Sequence, residues 1–326
     1  MEVIRREGID ILIDLKGQTE GAPPGALALR PAPIQVHYRG YPGTLGSGLA
    51  DYLIGDDVVT PIAHAAEYAE TLALLPGSYQ INDRKRPIAE PSERPALQLP
   101  AGSIVFCCFN NVYKLNPQVF DVRARIRPRC PIRCCGCSHV TTAIRRSRIC
   151  VPKRTSVVSI RLASCSRGRP RLGLYRHADL FLDTWPYNPH TTASDALWAG
   201  YPSLTLRGET FAGRVAASLL TAIGLPELIA DSVAAYEEKA LALARNSNER
   251  RRLRDFLAGP GRSSTLFDTA RTTAALEAAY LMMADQYCDA YANLSAPSQR
   301  LRTRYLRKYS IAASTRSTGT IVTSSV

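Results

Sequence analysis

Short apolar runs at intervals, separated by loops and helical patterns, constrain this chain more than any other feature. IDILIDL (9–15), IQVHY (34–38), DYLIGD (51–56), SIVFCCF (103–109), DLFLDT (179–184) and PSLTLRG (202–208) read as buried strands. Helical stretches such as AGRVAASLLTAIG, DSVAAYEEKALALARN and NERRRLRDFLAG lie between or after them. Such alternation predicts an α/β protein with a parallel sheet covered by helices on both faces. Ligands of such sheets sit at the carboxyl ends of the strands.

One of those ends is unusual. The strand DLFLDT leads into YNPHTTASDALWAGYP (187–202), a loop with aromatic, proline and histidine residues followed by two threonines and an apolar run. A hydroxyl residue before an apolar-periodic run is a helix start signal, and Thr192 with Asp195 fits a loose capping box. The spacing predicts a helix from about Ala193 to Ala199 that stops at Gly200. Strand, loop and helix start together make the geometry in which α/β proteins bind phosphate, because the helix aims amides and the positive end of its dipole at the ligand. Capping alone accounts for the threonines equally well.

Charge and cysteine are concentrated in one segment. The net charge is +13, yet residues 122–171 hold 14 Lys and Arg with no Asp or Glu, so the rest sums to 13 − 14 = −1. A general nucleic-acid surface is therefore not expected. Six of the nine cysteines (Cys130, Cys134, Cys135, Cys137, Cys150 and Cys165) lie there too. CPIRCCGCSH offers Cys134, Cys137 and His139 to a zinc ion, but no second pair follows at finger-like spacing, so no metal is expected. No signal peptide or run of about 18 apolar residues is visible, and the expectation is a cytoplasmic protein that does not enter a membrane.

The same segment interrupts the strand and helix grammar, showing no sustained period of 2 or 3.6 before the strand at 179 resumes it. Its Arg, Cys, Pro, Ser and Gly are what a GC-rich gene yields out of frame, so the expectation is a frame-shifted replacement of a helix, strand and loop. The alternative is a natural basic insertion for RNA or acidic lipid. The Ser/Thr-rich end reads as a flexible tail.

Five blocks in order, LALRPAPIQVHYRGYPGTLG, DYLIGDDVVTP, IVFCCFNNVYKLNP, ADLFLDTWPYNPHTTASDALWAG and GETFAGRVAASLL, resemble the catalytic region of the protein O-GlcNAc transferase family, including its bacterial, TPR-linked members. The resemblance covers roughly 8–121 and 172–285. It implies a GT-B fold of two Rossmann-like lobes holding UDP-GlcNAc, with inverting transfer of GlcNAc to Ser or Thr of protein acceptors and no metal or other cofactor. The implied division is 1–95 for a partial first lobe, 96–290 for the nucleotide-binding lobe with its anomalous 122–171, and 291–326 for the tail.

The resemblance also implies roles for residues. His190, Thr191 and Thr192 would contact the diphosphate and nearby sugar atoms, and Asp195 would accept from ribose hydroxyls. Lys114 would reach the diphosphate and stabilise the charge on departing UDP, which makes it the catalytic candidate. Asn111 stands where the family often has a Gln that contacts the nucleotide. The turn Gly40, Tyr41, Pro42, Gly43, Thr44 corresponds to a loop near the donor sugar, where glycine allows close backbone approach.

Two departures stand against the family pattern. The chain opens at a point late in the first lobe, so the earlier strands, an active-site histidine and the TPR repeats are expected to be absent. In the basic segment a second phosphate-binding lysine and a nucleotide-contacting histidine are not matched, the latter position being Arg171. Little or no turnover is therefore expected. Alternatives are a UDP-glucose-dependent protein N-glucosyltransferase, or a non-catalytic nucleotide-binding or basic interaction protein.

Overall fold

The computed structural model describes residues 2–46, 48–88, 104–126, 132–135, 178–291 and 320–322. These fall into two compact units, one made of 1–82 with 268–326 and the other of 83–267. The division expected from sequence fell instead at 95 and 290; the helix Thr269–Tyr291 groups with the first unit.

In the first unit β1 (Ile11–Asp14), β2 (Ile34–Tyr38), β3 (Tyr52–Gly55) and β4 (Thr71–Leu74) are parallel and adjacent in chain order. A further strand, Thr320–Val322, pairs antiparallel with β4 in the region expected to be a tail; the rest of 292–326 lies outside the described residues. All five residues of β2 are buried, as a strand covered on both faces requires. Ile34, Val36 and Tyr38 supply apolar surface. Gln35 and His37 point to the other face, where Gln35 Nε2 donates to Leu27 O at 3.0 Å and Leu49 O at 2.7 Å. The helix Thr269–Tyr291 buries Ala275, Ala279, Met283 and Cys288, and its Gln286 Oε1 accepts from Tyr52 Oη at 2.9 Å.

The second unit holds β5 (Ile104–Cys107), β6 (Ile132–Cys135), β7 (Leu180–Leu182), β8 (Ser203–Leu206) and β9 (Ile229–Ala230), all parallel. Their spatial order is β6-β5-β7-β8-β9. Counted within the unit this is the order 2-1-3-4-5 of doubly wound sheets. The helices Phe211–Ile223, Val233–Arg245 and Ser247–Ala258 follow the expected patterns closely. Each starts at a capping side chain: Thr210 accepts from Gly213 N, Ser232 from Ala235 N and Asn246 from Glu249 N.

Two expectations are corrected. The basic segment does not leave the α/β grammar at Val122: the helix Pro117–Ile126 runs on, with Val119, Val122 and Ile126 buried along one face, and β6 pairs with β5 further along. The apolar residues at i, i+3 and i+7 hold a helical stripe that the intervening arginines obscure. The remainder of the segment, 127–131 and 136–171, lies outside the described residues, and with it the zinc question at Cys130 and Cys137. The second correction concerns the helix start. It begins at Thr191, with His190 at the cap position and no side-chain cap bond, so Thr192 lies inside the first turn.

Candidate functional site

The strand order dictates where the second unit can hold a ligand. From β5 the chain passes to β6 on one side and then crosses to β7 on the other, so the connections after β5 and β7 diverge and leave a crevice at their carboxyl ends. The segment after β5 carries Asn111 and Lys114, and the segment after β7 carries His190, Thr191 and Thr192. Topology thus brings these expected residues to one place.

Lys114 and His190 are held by their neighbours. The carbonyl of Asn111 accepts from Lys114 N at 3.0 Å, which closes the short turn Val112–Lys114. Lys114 Nζ donates to Asn188 O at 2.7 Å and lies 3.9 Å from the centre of the Tyr187 ring. On the same ring His190 stacks, with centroids 5.4 Å apart and planes 14° from parallel. Tyr113 meets it edge-on at 6.3 Å. Ammonium, phenol and imidazole therefore form one column at the mouth of the crevice.

Beneath the column the loop 183–188 is tied down by buried polar groups. Asn110 Nδ2 donates to Thr184 Oγ1 at 2.7 Å, and that hydroxyl donates to Tyr187 O at 2.9 Å. Asn188 Nδ2 donates to Thr184 O at 2.9 Å, while Asn188 N donates to Ala212 O at 2.9 Å. Tyr236 Oη and Arg123 Nη2 both donate to Asp183 O, at 3.1 and 3.2 Å. The fully buried Asp183 carboxylate accepts from Thr205 Oγ1 and Thr184 N. Burial raises its pKa well above the ordinary carboxylate value, against these two hydrogen bonds and Lys114, which act to lower it. Such a loop costs little reorganisation when a charged ligand arrives.

Lys114 is the electrostatically poised member. Loss of solvent lowers its pKa to about 8, although Asp183 and Cys108 oppose the shift. A lysine of this kind is charged below about pH 8 and neutral above it, and a diphosphate beside it would draw the value back up. Binding then takes up a proton, so UDP affinity is expected to fall as pH rises through about 8. Calorimetry between roughly pH 7 and pH 9.5 checks this, because the phosphate groups of UDP are already ionised across that range. An unchanged affinity across it would separate Lys114 from the ligand.

The helix Thr191–Trp198 aims its amino-terminal end at the same crevice. It packs through Ala196 and Ala199 against Val105, Cys107 and Phe181, which fixes its tilt on the sheet. Thr191 is exposed and Thr192 half-buried at the tip. Asp195, 6% exposed, pairs with Arg86 rather than turning back to cap the helix. A guanidinium brings a full opposite charge to the carboxylate, where a backbone amide brings only a dipole. Arg86 had no local signal in the sequence, and Tyr187 was visible only as an aromatic in the loop.

In the first unit the turn 40–44 follows β2 at its carboxyl end. Gly40 is required by the chain itself: a Cβ there would lie 2.2 Å from Leu15 O and 2.6 Å from Lys16 Cα. Gly43 is less confined, its nearest neighbour being Tyr41 Cε1 at 3.3 Å, and Pro42 is half-buried. Thr44 Oγ1 accepts from Gly46 N at 3.1 Å and Ala69 N at 3.3 Å. The turn is braced from below by His37, whose Nε2 lies 2.8 Å from Tyr41 O and whose Nδ1 lies 3.2 Å from Asp14 Oδ2. Among the described residues no cluster of His, Cys, Asp and Glu suits a metal ion, and no helix is long and apolar enough to cross a membrane.

The two α/β sheets, parallel but for the strand Thr320–Val322, have the fold of GT-B glycosyltransferases. The family model of glycosyl transferase family 41 matches residues 1–97 and 88–276, and the chain belongs to that family. A probable UDP-N-acetylglucosamine-peptide N-acetylglucosaminyltransferase of Arabidopsis thaliana, SEC, is 36% identical over 296 residues, covering 88% of this chain and 30% of its own length. A second probable UDP-N-acetylglucosamine-peptide N-acetylglucosaminyltransferase, SPINDLY of Petunia hybrida, is 35% identical over 301 residues, covering 88% of this chain and 31% of its own length. A solved mutant O-GlcNAc transferase of Thermobaculum terrenum superposes with a TM-score of 0.73 at 31% identity, over 89% of this chain and 55% of that one. The chain thus spans less than a third of the length of these plant relatives.

Proposed function

We propose that this chain binds UDP-GlcNAc and takes part in transfer of GlcNAc to Ser or Thr hydroxyls of proteins. The observation that carries the reading is the meeting of Lys114 with the amino-terminal end of the helix Thr191–Trp198 at the β5/β7 switch point. A cation and a helix dipole converging on one crevice suit a diphosphate. His190, Thr191 and Thr192 line its entrance, Asn111 sits beside Lys114, and Asp195 offers a carboxylate to ribose hydroxyls one turn into the helix. The turn of Gly40, Pro42, Gly43 and Thr44 is assigned to the sugar.

In the proposed reaction the acceptor hydroxyl oxygen attacks the anomeric carbon from the face opposite the phosphate. The bond from that carbon to the β-phosphate oxygen breaks, its electron pair leaves with UDP, and the hydroxyl proton is released to solvent. Lys114 and the helix end stabilise the charge that grows on the phosphate, and no metal is needed for that task. The reading places the protein in the cytoplasm. Incubation with radiolabelled UDP-GlcNAc or UDP-glucose and a protein acceptor lysate tests it. Label from UDP-GlcNAc on Ser or Thr is the expected result. Glucose on Asn would identify an N-glucosyltransferase, and UDP binding without transfer would leave a nucleotide-binding protein.

A further inference from the structure

The second unit contains a largely buried charged pair, Arg86 with Asp195, whose arginine the reading above leaves unused. The Asp195 side chain is 8% exposed and that of Arg86 19%. Arg86 is anchored from several directions. Its Nε donates to Asp83 O at 3.1 Å, and its own carbonyl accepts from Trp198 Nε1 at 3.0 Å. Trp198 is in turn packed edge-on against Phe267 and covered by Arg262. Asp195 and Trp198 are three residues apart, so the arginine grips one face of the helix by its backbone and its guanidinium together. The remaining terminal nitrogen, Nη2, is buried with no hydrogen-bond partner among the described residues.

A carboxylate this deeply buried, one turn from a helix end that is to receive a diphosphate, faces two difficulties. Alone it would repel the phosphates, and it would rotate among orientations of which few suit vicinal hydroxyls. An anchored guanidinium on Oδ1 answers both, since it offsets the charge and leaves the second oxygen with a defined direction. We infer that Arg86 is a positioning residue that aims Asp195 at the ribose of the donor nucleotide, an assignment that rests on the reading of Asp195 as the ribose acceptor.

The test compares UDP with 2′,3′-dideoxy-UDP, which carries the same phosphates and base, so contributions from the basic segment cancel. Calorimetry on the full chain is expected to show UDP bound tighter by about tenfold to a hundredfold, the worth of a charge-assisted hydrogen bond. Asp195→Ala abolishes that discrimination. Arg86→Met lowers it to within about threefold and, with the Asp195 charge no longer offset, also weakens the dideoxy nucleotide; Arg86→Lys restores most of both, and the double variant behaves as Asp195→Ala alone. Loss of discrimination in Asp195→Ala but not in Arg86→Met overturns the role of Arg86 and leaves the ribose assignment standing. Unchanged discrimination in Asp195→Ala, or none in the unmodified chain, overturns the ribose assignment itself. A dideoxy-UDP affinity lower in the double variant than in Asp195→Ala means that the arginine only supports the fold, which also overturns the inference.

Discussion

Replacing Lys114 with methionine is expected to slow transfer of GlcNAc by about a hundredfold to a thousandfold, the loss seen when one preorganised donor to developing negative charge is removed. Methionine keeps most of the packing volume against Tyr187 and removes the charge, so the effect reads electrostatics rather than a cavity. The same change is expected to weaken UDP by about 1.5 to 3 kcal/mol and to flatten the fall in affinity with pH, because the group that titrates is gone. Where transfer by the unmodified chain is too slow to follow, the UDP titration carries the prediction. Equal UDP affinity in Lys114→Met and the unmodified chain would remove the lysine from the diphosphate. The expected size of the effect follows from burial: a solvated lysine of ordinary pKa is screened, whereas this one has lost enough water to sit near 8.

The second large effect is on stability. Gly40→Ala would place a methyl group 2.2 Å from the carbonyl oxygen of Leu15, and backbone cannot swing away as a side chain can. A loss of about 3 kcal/mol is expected, at the upper end for an overpacked interior. Separating Leu15 from Gly40 would also disturb the hydrogen bonds from Lys16 N and Gly17 N to Asp14 and the Asp14 contact to His37 that braces the turn. Chemical denaturation of the variant, followed by far-ultraviolet circular dichroism, measures the change, and a variant as stable as the unmodified chain would mean that β1 and β2 can separate without cost. Glycine at 40 is thus explained by contact within the first unit before any sugar is invoked.

Much of the architecture was legible in the chain itself. Every strand read from an apolar run is present, with ends trimmed by a residue or two, because a strand buried on both faces must be apolar nearly throughout and little else in a chain looks like that. The helices from Phe211 to Ala258 were equally plain, since 3.6-residue periodicity and capping side chains agree there. The candidate residues after β5 and β7 were found through five resembling blocks, and a strand-loop-helix start pointed to one of them independently.

Other features depend on partners distant in the chain and left no local trace. The stretch 71–74 was not read as a strand, though it lies beside β3. The helix starts at Thr191 rather than beyond Thr192, and Asp195 pairs with an arginine 109 residues earlier. Val122 and Ile126 read as part of a basic stretch with no sustained period, although the structure buries both on one face of a helix. Periodicity and composition determined which segments are strands and helices, because those follow from each segment's own need to bury apolar atoms and satisfy its amides. Only the tertiary structure decided that β5 and β7 lie side by side with their connections diverging, that Lys114 loses its water against Tyr187 and Asn188, and that Arg86 reaches Asp195, because burial and charge pairing are properties of neighbours that the fold alone brings together.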